Sequence, residues 1–135
     1  MMKVLQPPTW ARPKGFSNGI AVKGGTTVYI AGQVGWTGDC RWESKDFGGQ
    51  FRQALKNILD VLAEAGGKPE HLVRLTWYVV DKQEYLGAIK EVGAAYRELI
   101  GKHFPTMAVV QVGALVEDAA RLEIEATAVI PEASS

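Results

Sequence analysis

Between Asp46 and Leu99 the hydrophobic period of the chain changes twice, and that order limits the fold more than any other feature of the sequence. Phe47, Phe51, Leu55, Ile58 and Leu62 recur at three- and four-residue intervals, the stripe of an amphipathic helix from Asp46 to Ala65 that Gly66-Gly67 and Pro69 stop. Leu72 to Val80 is short and rich in β-branched and aromatic residues, which predicts a buried strand. Asp81 with Glu84 three residues on resembles a capping box, opening a second helix whose Tyr85, Ile89, Val92, Tyr96 and Leu99 share a face and which Gly101 ends.

Flanking segments supply the rest of a sheet. Ile20 to Lys23 and Thr26 to Val34 read as strands joined in a hairpin by Gly24-Gly25, because glycine reaches the positive φ that such turns need. Met107 to Leu115 and Arg121 to Ile130 give two more strands, separated by the polar-centred Val116 to Ala120, a connection of hairpin length. The order ββαβαββ predicts an α+β fold, a mixed sheet with two helices on one face. In the last strand Leu122, Ile124, Ala126 and Ala128 alternate with Glu123, Glu125, Thr127 and Val129, so the other sheet face begins with carboxylates and needs a cover. Cyclic self-association is the expected cover. Residues 1–17, with Pro7, Pro8, Pro13 and Gly15, form an extended segment, and residues 131–135 a frayed tail, so 1–135 is expected to be one domain.

Composition removes several function classes. Of 135 residues, 47% are apolar, enough for a real core, while Lys plus Arg and Asp plus Glu are 15 each. With no net charge and no basic patch, binding to a phosphate backbone or an anionic membrane is not expected. No stretch approaches the roughly 20 apolar residues of a membrane span, and the first residues lack a signal-peptide core, so a cytoplasmic protein is expected. Cys40 is the only cysteine, and His71 and His103 stand apart, so no disulfide and no metal site are expected.

Three pieces in order carry a family likeness: Ile30-Ala31-Gly32-Gln33-Val34, Phe104-Pro105, and Glu123-Ile124-Glu125-Ala126-Thr127-Ala128. With them the chain, from Gly15 to Val129, resembles the Rid (reactive intermediate deaminase) family, also known as endoribonuclease L-PSP or translation-inhibitor-like proteins. The resemblance implies a chorismate-mutase-like fold, a homotrimer with clefts between subunits, and hydrolysis of enamines and imines with release of ammonia, without metal or organic cofactor. It also implies that Glu123 matches an acidic residue that holds and activates the hydrolytic water. A carboxylate partly desolvated at a subunit seam is a better proton acceptor and donor near neutrality, and a backbone N–H such as that of Val109 would orient the water.

The likeness is incomplete at the substrate. Where family enzymes carry a carboxylate-gripping arginine, three residues after the phenylalanine of Phe104-Pro105, this chain has Met107. A thioether replaces none of the bidentate, charge-assisted contact of a guanidinium, so the usual 2-imino acids should bind poorly. Phe16 stands for a tyrosine, Ala31 for a serine or threonine, Gly93 for an asparagine and Val109 for a cysteine, which leaves the cleft, with Gly32 at its strand end, more apolar. Arg12 and Arg41 are candidates for a relocated anion contact, or else surface arginines. Trp36 and Trp42 either wall a ligand or fill an interface, and His103 is either a base or a helix C-terminal cation. Three functions follow: a divergent imine or enamine hydrolase using Glu123, a small-molecule-binding trimer without turnover, and, against the charge balance, a ribonuclease.

Overall fold

The computed structural model describes residues 2–132, so Met1 and residues 133–135 of the expected frayed tail lie outside the described residues. Strands β1 (Met2–Leu5), β2 (Gly19–Val22) and β3 (Thr26–Val34) precede helix α1 (Phe47–Glu64). After a 3-10 turn at Pro69–His71 come β4 (Leu72–Val79), α2 (Lys82–Gly87), α3 (Ile89–Leu99), β5 (Thr106–Gln111) and β6 (Leu122–Ile130). The main sheet runs β3-β6-β4-β5, mixed because β4 and β5 are parallel while β6 is antiparallel to both β3 and β4. Helices α1 and α3 cover one face, as the α+β expectation required.

The core forms where the helical stripe meets the alternating strands. Phe51, Leu55, Ile58 and Leu62 of α1 are fully buried against Leu75 and Val79 of β4 and Leu122 and Ile124 of β6. Each such side chain stabilises the fold by roughly 1.5–3 kcal/mol through its removal from water. Asp46, the first residue of the expected helical stretch, is the cap of α1, its carboxylate accepting from the Gly49 N–H at 2.8 Å. A side chain at Gly35 would meet the Gln50 backbone, its Cβ lying 2.6 Å from Gln50 Cα, so the end of β3 approaches α1 as only glycine allows.

Both expected hairpins are absent. Gly24 and Gly25 do turn at positive φ (71° and 86°), yet β2 pairs with β1 while β3 takes the last strand, whose nine residues match its own nine. β5 and β6 flank β4 instead of pairing with each other, so their connection crosses the sheet end. Of the N-terminal segment, Met2–Leu5 form β1, and the chain then turns where the Trp10 N–H donates to the Pro7 carbonyl at 3.1 Å. The second helix divides at Ala88, immediately after Gly87, a weak helix former, and the short α2 brings Tyr85 edge-on to Trp77 and Phe47. Glu84 does not close a capping box. Its carboxylate accepts instead from Arg121 Nε at 2.9 and 3.1 Å, an ion pair that fastens α2 to the start of β6.

Candidate active site

On the helix face of the sheet, α2, α3 and the edge of β5 enclose a half-open cavity of about 620 Å³. Sequence order alone does not bring its walls together; two ties do. The Ser17 hydroxyl donates to the Phe104 carbonyl at 2.5 Å and its N–H to the Pro105 carbonyl at 3.1 Å, which swings Lys14, Gly15 and Phe16 across the mouth. The Tyr96 hydroxyl donates to the His103 carbonyl at 2.6 Å, and its ring stacks on Phe104 with centroids 5.7 Å apart. Burial pushes the Tyr96 phenol well above the ordinary tyrosine range, so it stays a neutral donor.

Four of the expected site residues line this cavity: Phe16, Gly93, Met107 and Val109. Gly93 faces it from mid-helix, where a Cβ would meet nothing nearer than Arg97 Nη1 at 3.7 Å. Met107, half-buried against the core, also borders a second, more polar depression with Phe16 and Arg74. β5 is an edge strand whose Val112 N–H donates to the Val79 carbonyl at 2.8 Å, so by alternation the Val109 N–H points away from β4 to the open edge. Trp77 forms the inner wall, and its Nε1–H has no hydrogen-bond partner among the described residues.

The remaining expected residues lie on the opposite face of the sheet. Because Leu122 and Ile124 point into the core, Glu123 between them points away from the helices. A bulge in β3 sets two residues, Ala31 and Gly32, opposite Glu125, between the Ile30–Ala126 and Gln33–Ile124 pairs. The Glu123 carboxylate lies over that bulge: a Cβ on Gly32 would sit 2.0 Å from its Oε2. Glu123 is half-buried and makes no hydrogen bond or ion pair among the described residues. Glu125 is engaged, accepting from the Tyr78 hydroxyl at 2.6 Å, which raises the Tyr78 phenol above its usual range. Ala31 lines a shallow groove of about 430 Å³ with Tyr29, Arg74 and Thr76. Within one chain, therefore, the cavity and the carboxylate do not meet.

Several secondary expectations change. Arg41 pairs with Asp39 at 2.9 Å inside its own loop, where Thr37 and Arg41 hold the Asp39 carboxyl below its usual range. Arg12 does not line the cavity. His103 neither caps a helix nor faces the cavity; its Nε2 lies 2.6 Å from the Leu72 carbonyl and holds the loop to β4. Trp36 and Trp42 cover each other, with centroids 5.5 Å apart, away from the cavity lining. Among the described residues no group of three or more His, Cys, Asp or Glu is placed to hold a metal ion, and no helix is long and apolar enough to cross a membrane. Tyr85 and Tyr96 of the expected helix face, Phe104 of the Phe104-Pro105 motif and Arg97 also line the cavity, and the sequence carries no local signal that they belong to the site.

The sequence model described as Endoribonuclease L-PSP matches residues 10–130. Over 104 residues the chain is 32% identical to the 2-iminobutanoate/2-iminopropanoate deaminase of Homo sapiens, spanning 76% of this chain and 72% of that protein. Among solved structures, the Yersinia pestis protein YyfB, a Rid family member of unknown function, aligns with a TM-score of 0.82 at 33% identity, over 96% of this chain and 98% of its own. The YjgF gene product of E. coli aligns with a TM-score of 0.66 at 30% identity, over 80% of this chain and 84% of its own.

Proposed function

The chain belongs to the Rid, or endoribonuclease L-PSP, family, and from that premise we propose that it is a cytoplasmic imine and enamine deaminase working as a homotrimer, with Glu123 of one subunit facing the cavity of the next. The observation that carries this is the half-buried Glu123 carboxylate, held over Gly32 without a hydrogen-bond or ion-pair partner among the described residues. The next carboxylate on the same strand, Glu125, is by contrast taken up by the Tyr78 hydroxyl, and Glu84 of α2 by Arg121. A free, partly desolvated carboxylate suits general-base work.

The chemistry asks little more of the protein. Glu123 accepts a proton from water as the water oxygen bonds to the carbon of a protonated imine. It returns that proton to nitrogen, then accepts the hydroxyl proton as the C–N bond breaks and the C=O bond forms, and passes it to the departing ammonia, leaving a carbonyl compound and ammonium. The outward N–H of Val109 is a donor for the water or for the oxygen that develops. Small 2-imino acids are poor substrates on this reading, because Met107 offers no charge-assisted bonds and a cavity of about 620 Å³ leaves a four-carbon acid loosely held. Imines with large apolar bodies fill it.

The test generates imines in situ with an amino-acid oxidase acting on phenylalanine or alanine and follows ammonia. Acceleration is expected for the phenylalanine-derived imine, with a fall of roughly 10²–10⁴-fold in Glu123→Gln. No acceleration by the wild-type protein, for either imine, would exclude the deaminase and leave a ligand-binding trimer.

A further inference from the structure

We propose that Arg97 at the cavity mouth is the anion clamp of this protein, so that the site takes apolar, aromatic-sized acids whose carboxylate stays at the rim while the body enters the cavity. The proposal rests on the deaminase reading for the identity of the site and adds the class of molecule that the site selects.

The lining contains two cations, Lys14 and Arg97, and no acid, in a chain of zero net charge. Arg97 makes no ion pair or hydrogen bond among the described residues, whereas Arg41, Arg52 and Arg121 each sit on a carboxylate. Its place follows from α3: Gly93 is one turn earlier on the same face, and the guanidinium lies over the gap that glycine leaves, 3.7 Å from where a Cβ would be. Met107 lines the same cavity from β5. A thioether at the strand and a guanidinium on the facing helix amount to a displaced clamp. Arg74, the other arginine near these surfaces, borders the grooves on the sheet side and does not line this cavity.

The walls say what the anion is attached to. Phe16, Trp77, Tyr85, Tyr96 and Phe104 present five rings, and the volume falls in the range that drug-sized ligands fill. An aromatic 2-imino acid seated this way has its ring inside and both its carboxylate and its imine at the mouth. That is where a neighbouring subunit's carboxylate would meet it.

Isothermal titration calorimetry with 3-phenylpropanoate, its uncharged amide and propanoate tests the clamp without turnover. The wild-type protein should bind the aromatic acid roughly ten- to a hundredfold tighter than its amide, and propanoate weakly. Arg97→Gln should erase the difference between acid and amide while leaving the amide affinity in place, and Arg97→Lys should restore part of it. An unchanged acid-to-amide ratio in Arg97→Gln would overturn the proposal, as would failure of wild-type protein to bind either aromatic probe. The two readings separate cleanly: an Arg97-dependent ratio without ammonia release defeats the deaminase and keeps the clamp, and ammonia release with an Arg97-independent ratio does the reverse.

Discussion

The two faces of the sheet differ in how complete they are. On the helix face, aromatic rings, two cations and an edge-strand N–H surround a cavity that needs nothing further to bind an apolar acid. On the opposite face, Glu123 lies free over a bulge, with a shallow groove beside Ala31 and no walls of its own. One face can hold a molecule and has no base; the other has a base and holds nothing. The difference teaches that a strand's alternation, which puts Leu122 and Ile124 in the core, necessarily puts Glu123 on the face away from the cavity, so the proposed site needs a second chain to join them.

The largest effect that would sharpen this contrast is a block of the cavity alone. Gly93→Trp projects an indole into it from α3, and binding of 3-phenylpropanoate should weaken by at least about a hundredfold, with the fold kept because tryptophan suits a helix better than glycine. Calorimetry reads the affinity and circular dichroism the fold. Retained affinity would move the binding site elsewhere.

Next in size is a change confined to the other face. Gly32→Ala places a methyl where the Glu123 carboxylate rests, and the group that gives way is the end of a flexible side chain, not the backbone. The turnover number should fall roughly tenfold while probe affinity and melting temperature hardly move. An equal loss of affinity would mean that the two faces are not separable.

The smallest effect belongs to the strut of the cavity. Tyr96→Phe leaves the His103 carbonyl without its donor and should cost roughly 1–3 kcal/mol at neutral pH. Because burial raises the folded-state pKa of Tyr96, its contribution is whole below the unfolded value near 10 and is lost as pH climbs toward the folded one. Denaturant melts from pH 8 to 11 should therefore show the gap between wild type and variant closing at the alkaline end. A constant gap would show that the phenol is not held neutral by burial.

Local patterns were legible in the sequence and pairings were not. The stripe of α1 and the alternation of β6 depend on neighbours within a turn or a strand, and both are found where the sequence puts them. The Gly24-Gly25 hairpin failed because the choice between β2 and β6 as a partner for β3 is made about a hundred residues away. Glu84 looked like half of a capping box until Arg121, 37 residues on, claimed its carboxylate. Phe16, Gly93, Met107 and Val109 were named through family resemblance, with no local signal that they meet. Arg97 stands four residues after Gly93, but i to i+4 spacing marks a shared helix face and not what that face looks onto.

The central claim, that a working site takes its cavity from one chain and its carboxylate from another, is tested most directly by complementation. Glu123→Gln and Gly93→Trp proteins, each inactive alone, are mixed under conditions that exchange subunits and assayed with the phenylalanine-derived imine. Most randomly mixed trimers then hold one intact site in three, so activity should recover to about a quarter of wild type. If exchange is demonstrated and the mixture stays inactive, both halves of the site belong to a single chain and the account is wrong.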